Sequence, residues 1–234
     1  MTSSNMTPLR TFVALASLVV MLSLAVAQAD AYMISADSTG GPVSIVDDGD
    51  PTLVAGKSIL LTLTGQTIVD VDVTVEVTHE FVGDLVFRLE GPDGTQIVLA
   101  NRPGTTSDFG GAAANMSADV PITFDDSAAT NAELMGNGLD TMEIVGAAAG
   151  SPSTYFPFSG TLIPGPTLSA FNGMSPTGEW TLTVGDGAAG ATGTFVGWTL
   201  SLETERQIIP EPTAAAMLGL GWAGLLVRRT RKRA

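Results

Sequence analysis

The sequence predicts an all-β fold, a sandwich of two sheets, on three observations. Apolar residues recur at every second position in short runs: Val69, Val71, Val73, Val75 and Val77 alternate with Asp70, Asp72, Thr74, Glu76 and Thr78. Glycine and proline, 27 and 13 among 234 residues, separate those runs where tight turns are needed. Helical character is confined to the apolar stretches at the two ends of the chain.

Residues 1–29 read as a signal peptide. Arg10 precedes an apolar run from Phe12 to Val26, and Ala27-Gln28-Ala29 has the small-x-small form of a cleavage site. Cleavage is expected after Ala29, with Ala31 as the alternative. A retained membrane anchor is the competing reading, but the run falls short of the roughly 20 residues a span requires. Residues 30–42 read as a linker. The text stays turn-rich as far as Gly56, through Gly40-Gly41-Pro42 and Asp47-Asp48-Gly49-Asp50-Pro51, with Ser44 to Val46 as a short edge strand. The DDGDP run lacks EF-hand spacing and has no glutamate at the twelfth position, so it reads as a solvated turn.

Strands are expected over Ser58 to Thr64 and Ile68 to Val77, leading into the stretch from Thr78 to Thr95, THEFVGDLVFRLEGPDGT. There Leu85, Phe87 and Leu89 resume the alternation after Gly83-Asp84, and Pro92-Asp93-Gly94 has the chemistry of a reversal. A hairpin with Gln96 to Ala100 follows, and the whole unit reads as a rigid site at the edge of the sandwich. Residues 101–119 form a surface loop carrying Asp108, the type of segment in which function often resides. Ile122 to Phe124 is a short strand closed by Asp125 and Asp126. Irregular backbone is expected from Ser127 to Pro157. Gly178 to Val184 and Phe195 to Leu202 are the last two strands, with Trp180 and Trp198 in the core between the sheets.

Composition narrows the function. The chain carries a net charge of −14, and residues 30–209 hold four basic residues against 23 acidic ones, a net of −19. Nucleic acid is excluded as a partner, because phosphate binding needs clustered Lys and Arg. The absence of cysteine removes disulfides, thiolate metal sites and thiol nucleophiles. His79 is the only histidine, and the sequence has no G-x-S-x-G elbow. Nothing in the sequence therefore marks a serine as the nucleophile of a serine-histidine-carboxylate triad, and no catalytic residue is assigned. His79 is expected to pack or hydrogen-bond near the Gly83-Asp84 turn. The candidate metal ligands are Asp84, Asp108, Asp125 and Asp126, acids at loop or strand ends that would suit Ca²⁺, a hard cation that takes six to eight oxygens. The competing reading is that Asp84 and Asp186 cap turns through their carboxylates.

The last segment, 206–234, has three parts: Pro210-Glu211-Pro212, an apolar run from Thr213 to Val227, and the basic close Arg228-Arg229-Thr230-Arg231-Lys232-Arg233. The basic end favours the cytoplasmic face, and the run is short for a permanent span. It resembles the PEP-CTERM sorting signal of Gram-negative bacteria. That resemblance implies recognition by an exosortase, transient inner-membrane contact and delivery to the cell surface or extracellular matrix.

Residues 43–205 resemble the P domain (P/Homo B) of proprotein convertases and bacterial subtilisin-like proteases. The match is carried by THEFVGDLVFRLEGPDGT, ITFDDSA, LSAFNG, GEWTLTVGDGAAGATGT and GWTLSLE. It implies a jelly-roll-like β-sandwich that, in proteases, follows the catalytic domain and supports its folding, stability and response to calcium or pH. No catalytic domain accompanies it in this sequence. The expected function is an exported, non-catalytic module acting in binding or structure, with matrix polysaccharide as a partner. The alternative is an accessory to a separately encoded subtilisin-like protease.

Overall fold

A computed structural model of the protein describes residues 31–104, 111–158 and 165–206. Among them lie β1 (Ala31–Asp37), β2 (Val43–Ile45), β3 (Val54–Leu61), β4 (Gln66–His79), β5 (Leu85–Glu90), β6 (Gln96–Asn101), β7 (Ile122–Phe124), β8 (Thr154–Tyr155), β9 (Gly178–Asp186) and β10 (Gly193–Arg206). They make two sheets. One runs β1-β10-β4-β7-β8, with β2 also on β10, and the other runs β3-β9-β5-β6. Every pairing is antiparallel except β7 with β8.

The spine is β4 against β10, paired from Gly193 opposite His79 to Arg206 opposite Gln66. Alternation places Val71, Val73, Val75 and Val77 inside at 1% exposure or less. Val69 breaks the expected pattern: it is 40% exposed, whereas Ile68 is buried. The cause is a register shift in which Asp70 faces Glu203 but Ile68 faces Thr204. An extra residue at such a bulge reverses the side-chain phase. A second shift, between Phe195 and Gly197, lets Phe195 and Trp198 both point inward although they are three apart.

Two expectations change here. The segment 30–42 is not merely a linker, since β1 pairs along β10 from Ala31–Glu205 to Asp37–Thr199. Its inner residues Ile34 and Ala36 are only partly buried, so its hydrophobic contrast is weak. The central stretch is also not at a sheet edge throughout. Its strand β5 lies between β9 and β6, and the turns at its two ends, Val82–Asp84 and Pro92-Asp93-Gly94, are the parts at the sandwich's rims.

The hairpin is as expected, with Gly94 at φ +84° and the Asp93 carboxylate accepting the Thr95 N–H and hydroxyl. The stretch 127–157 is mostly irregular, yet its backbone is bonded: Ala132 N–H to Phe156 O at 2.8 Å, and Phe156 N–H to Thr130 O at 2.7 Å. Among the described residues, no helix is long and apolar enough to cross a membrane. The signal segment and the PEP motif lie outside the described residues.

The sheets meet through aromatic side chains. Phe87 and Phe124 stand 5.7 Å apart across the layers. Trp198 of β10 donates its indole N–H to Lys57 O of β3 at 3.0 Å. Trp180 meets the edge of Phe171 at 4.8 Å and donates to Pro176 O. Replacing Trp198 with Phe keeps a ring in the core but orphans the Lys57 carbonyl. The expected loss is about 1–3 kcal/mol in urea unfolding, against less than about 0.5 kcal/mol for Met142→Ala at a position 88% exposed. Equal losses would mean that the cross-sheet bond contributes nothing.

Candidate functional site

From Val71 onward the odd-numbered residues of β4 face inward, so its last residue, His79, points into the sandwich at one rim and is 1% exposed. A polar ring there requires partners. The first is Asp186, the final residue of β9 in the opposite sheet, whose Oδ2 lies 3.1 Å from His79 Nε2 with both side chains fully buried. With a carboxylate against it, Nε2 carries the proton. Nδ1 faces the main chain of Phe81, 2.9 Å from its carbonyl and 3.1 Å from its nitrogen. Gly193 is required opposite, because a Cβ there would overlap the imidazole.

The chain then makes the 3₁₀ turn Val82–Asp84. It is pinned by Val82 N–H to Ala114 O at 2.8 Å and Gly83 N–H to Ala112 O at 3.0 Å. Asp84 accepts the Gly187 N–H on its carbonyl at 2.8 Å, and its carboxylate lies 3.7 Å from Arg102 Nη2. Arg102 holds φ +51°, and its Nε is buried without a partner. Burial and then the Asp186 charge raise the Asp84 pKa, with Arg102 and His79 opposing and Asp47 adding to the rise. Asp186 also caps its own turn, accepting the Ala188 N–H at 3.0 Å.

This corner ties the two sheets through His79 and Asp186. Both ring nitrogens are committed, no hydroxyl is hydrogen-bonded to the ring among the described residues, and the ring is out of reach of solvent. His79 therefore holds the role expected beside the Gly83-Asp84 turn.

The other candidate acids lie elsewhere. Asp125 follows β7, where Phe124 pairs with Val73, and accepts the Ser127 N–H and hydroxyl at 2.6 and 2.8 Å. Asp126 accepts the Leu168 and Ser169 N–H groups at 3.1 and 2.8 Å and the Thr167 hydroxyl at 2.6 Å, anchoring the 3₁₀ turn Leu168–Phe171. The Phe124–Val73 pairing sets Asp125 and Asp126 beside the middle of β4, near Asp72, whereas Asp84 lies in the turn beyond the end of the strand. Asp108 lies outside the described residues. Among those described, no three His, Asp or Glu side chains group to hold a metal ion.

One acid missed in the sequence is Asp72. Burial, then the charges of Asp125, Asp70 and Asp126, raise its pKa from 3.8 to about 6, and its Oδ1 is buried without a partner. The signal was the alternation of Asp70 and Asp72 with the Asp125-Asp126 pair, but only the β4–β7 register brings them together.

A family profile described as proprotein convertase P-domain matches residues 68–137 and 156–202, half of the chain. A crystal structure of a serine protease of Aeromonas sobria is similar at 19% identity and a TM-score of 0.42, over 75% of this chain and 27% of that one. A second, of the same organism's serine protease with a chaperone, is similar at 16% identity and a TM-score of 0.40, over 76% and 27%. This chain thus spans about a quarter of those solved chains. No curated protein matches it.

Two measurements probe these clusters. Replacing His79 with Leu strands a buried Asp186 carboxylate and should cost about 3–5 kcal/mol, much of it regained when Asp186→Leu is added. A cost under about 1 kcal/mol, or no regain, would dismiss the clamp. Asp72 has a native pKa above its unfolded one, so its native form binds the proton more tightly, and stability is lost as pH climbs from about 4 to about 6. Asp72→Asn should therefore gain roughly 1 kcal/mol at pH 7.5, a figure reduced for solvent screening, and little at pH 4. A gain equal at both pH values would contradict this.

Proposed function

Because the chain belongs to the proprotein convertase P-domain family, we propose that it acts as an accessory to a subtilisin-like serine protease, docking on that enzyme and supporting its stability. The P domain is a non-catalytic module. The observation that carries the reading is the committed, buried His79: the module offers a rigid body and no base of its own.

The proposal includes export through residues 1–29. It also includes handling of the tail at Pro210-Glu211-Pro212 by an exosortase-type system that delivers the protein to the cell surface or matrix of a Gram-negative bacterium. The residues of those two segments are the support for that part.

One purification tests both parts. The tagged protein, with its tag inside the 43–205 region, is recovered from the producing bacterium and read by intact mass and by a fluorophosphonate label for serine hydrolases. Expected are a chain beginning at residue 30 or 32 and ending near Pro210-Glu211-Pro212, and a labelled protease that loses heat resistance when the module is removed. A full-length mass would sink the sorting, and the absence of any labelled protease would sink the docking.

A further inference from the structure

We propose that Asn137 is a site of spontaneous covalent modification, its side-chain amide lost to the main-chain nitrogen of Gly138, and that Asn172 is protected from the same reaction. The sequence holds two Asn-Gly pairs, Asn137-Gly138 and Asn172-Gly173. All four residues are exposed. The pairs occupy the centres of matching turns: Leu139 N–H bonds Gly136 O at 3.2 Å with Gly138 at φ +79°, and Met174 N–H bonds Phe171 O at 3.1 Å with Gly173 at φ +81°. Each is a type II turn, with asparagine second and glycine third. Asn172 has the φ −61° and ψ 136° that this turn asks of its second residue. Asn137 is also on the negative side of φ, since Arg102 is the one non-glycine residue with positive φ among those described.

One bond separates the two sites. The Gly173 N–H donates to Ile68 O at 2.7 Å, tying its turn to the start of β4. The Gly138 N–H has no acceptor among the described residues. Once hydroxide takes that proton, the Gly138 nitrogen is a nucleophile placed next to Asn137 Cγ. The N–Cγ bond forms, the Cγ–Nδ2 bond breaks, and ammonia leaves with a proton from solvent. Water then opens the cyclic imide at either carbonyl, giving aspartate or a main chain routed through the side chain. Nothing stands within 4 Å of where a Cβ of Gly138 or of Gly173 would be, so crowding does not distinguish them. At Gly173 the proton that must leave is the one held by Ile68 O, and that bond has to break first. Either product adds a carboxylate to a turn packed on the rim corner, where a Cβ on Gly136 would meet Val82 Cγ1 at 2.7 Å.

The test needs no protease and no ligand. The full chain is held folded in mildly alkaline buffer and, in parallel, unfolded in guanidinium chloride, and peptides spanning each pair are followed by mass spectrometry. In the folded protein the Asn137 peptide should gain about 1 Da roughly tenfold faster than the Asn172 peptide. In guanidinium, where the Ile68 bond is gone, the two rates should agree within about threefold. Asn137→Gln, which would have to close a larger ring, should stop the gain at that site under both conditions and leave the melting temperature unchanged. No gain at Asn137 in the folded protein, equal rates at the two sites there, or a tenfold ratio that persists in denaturant would each overturn the assignment.

Discussion

Everything in this sandwich depends on one long-range pairing, the ladder between β4 and β10. Its strands are each 14 residues long and run side by side from Gln66 and Arg206 to His79 and Gly193. The chain has no cysteine to hold distant segments together. Loop closure over more than a hundred residues must instead be offset by what the ladder buries. That is the row Val71, Val73, Val75 and Val77 beside Trp198, Leu200 and Leu202. The two bulges serve the same end. By reversing the side-chain phase near each end of the ladder, they keep Ile68 and Phe195 inside where strict alternation would have turned them out.

The histidine corner is a consequence of that ladder. His79 faces Gly193 in register, and the missing side chain of Gly193 makes room for the imidazole. The ring then reaches across the layer to Asp186, so the last rung of one sheet is bonded to the last residue of a strand in the other. A polar clamp at a rim gives orientation as much as energy. Removing one member leaves the other buried and uncompensated, whereas an apolar pair of similar volume could stand in for both. The same reasoning separates this cluster from a catalytic one, in which the base must keep a free nitrogen toward the substrate.

Much of this was legible in the residues. Alternation gave β4, β5, β9 and most of β10, Pro92-Asp93-Gly94 gave the hairpin turn, and the aliphatic neighbours of Trp180 and Trp198 gave their burial. The failures share a cause, which is that they depend on contacts between distant residues. Strand β1 has only half-buried Tyr32, Ile34 and Ala36 to set against its exposed positions, and it exists because β10 offers an edge. The partner of His79 is 107 residues away. Asp125 and Asp126 looked alike as ligands, but adjacent strand-end acids can point at different loops, and here one holds Ser127 while the other holds the Leu168–Phe171 turn.

The free edges bear on the proposed role. Strand β3 lies at the open side of its sheet, with Leu60 72% exposed, and β1 edges the other sheet with Met33 73% exposed. Among the described residues nothing pairs with the outer side of β3, and an edge of this type invites pairing with other chains. On β3 the inward position opposite Leu182 is Lys57, only 7% exposed, its ammonium donating to Gly40 O at 3.1 Å and lying 6.0 Å from the Phe195 ring. An inward-pointing lysine in an edge strand penalises a neighbour that would seal it from water. The strongly acidic body adds charge repulsion between copies. Lys57 and the acidic surface thus disfavour pairing between copies, and among the described residues the exposed Leu60 and Met33 are apolar positions on β3 and β1 that the proposed docking would have to cover.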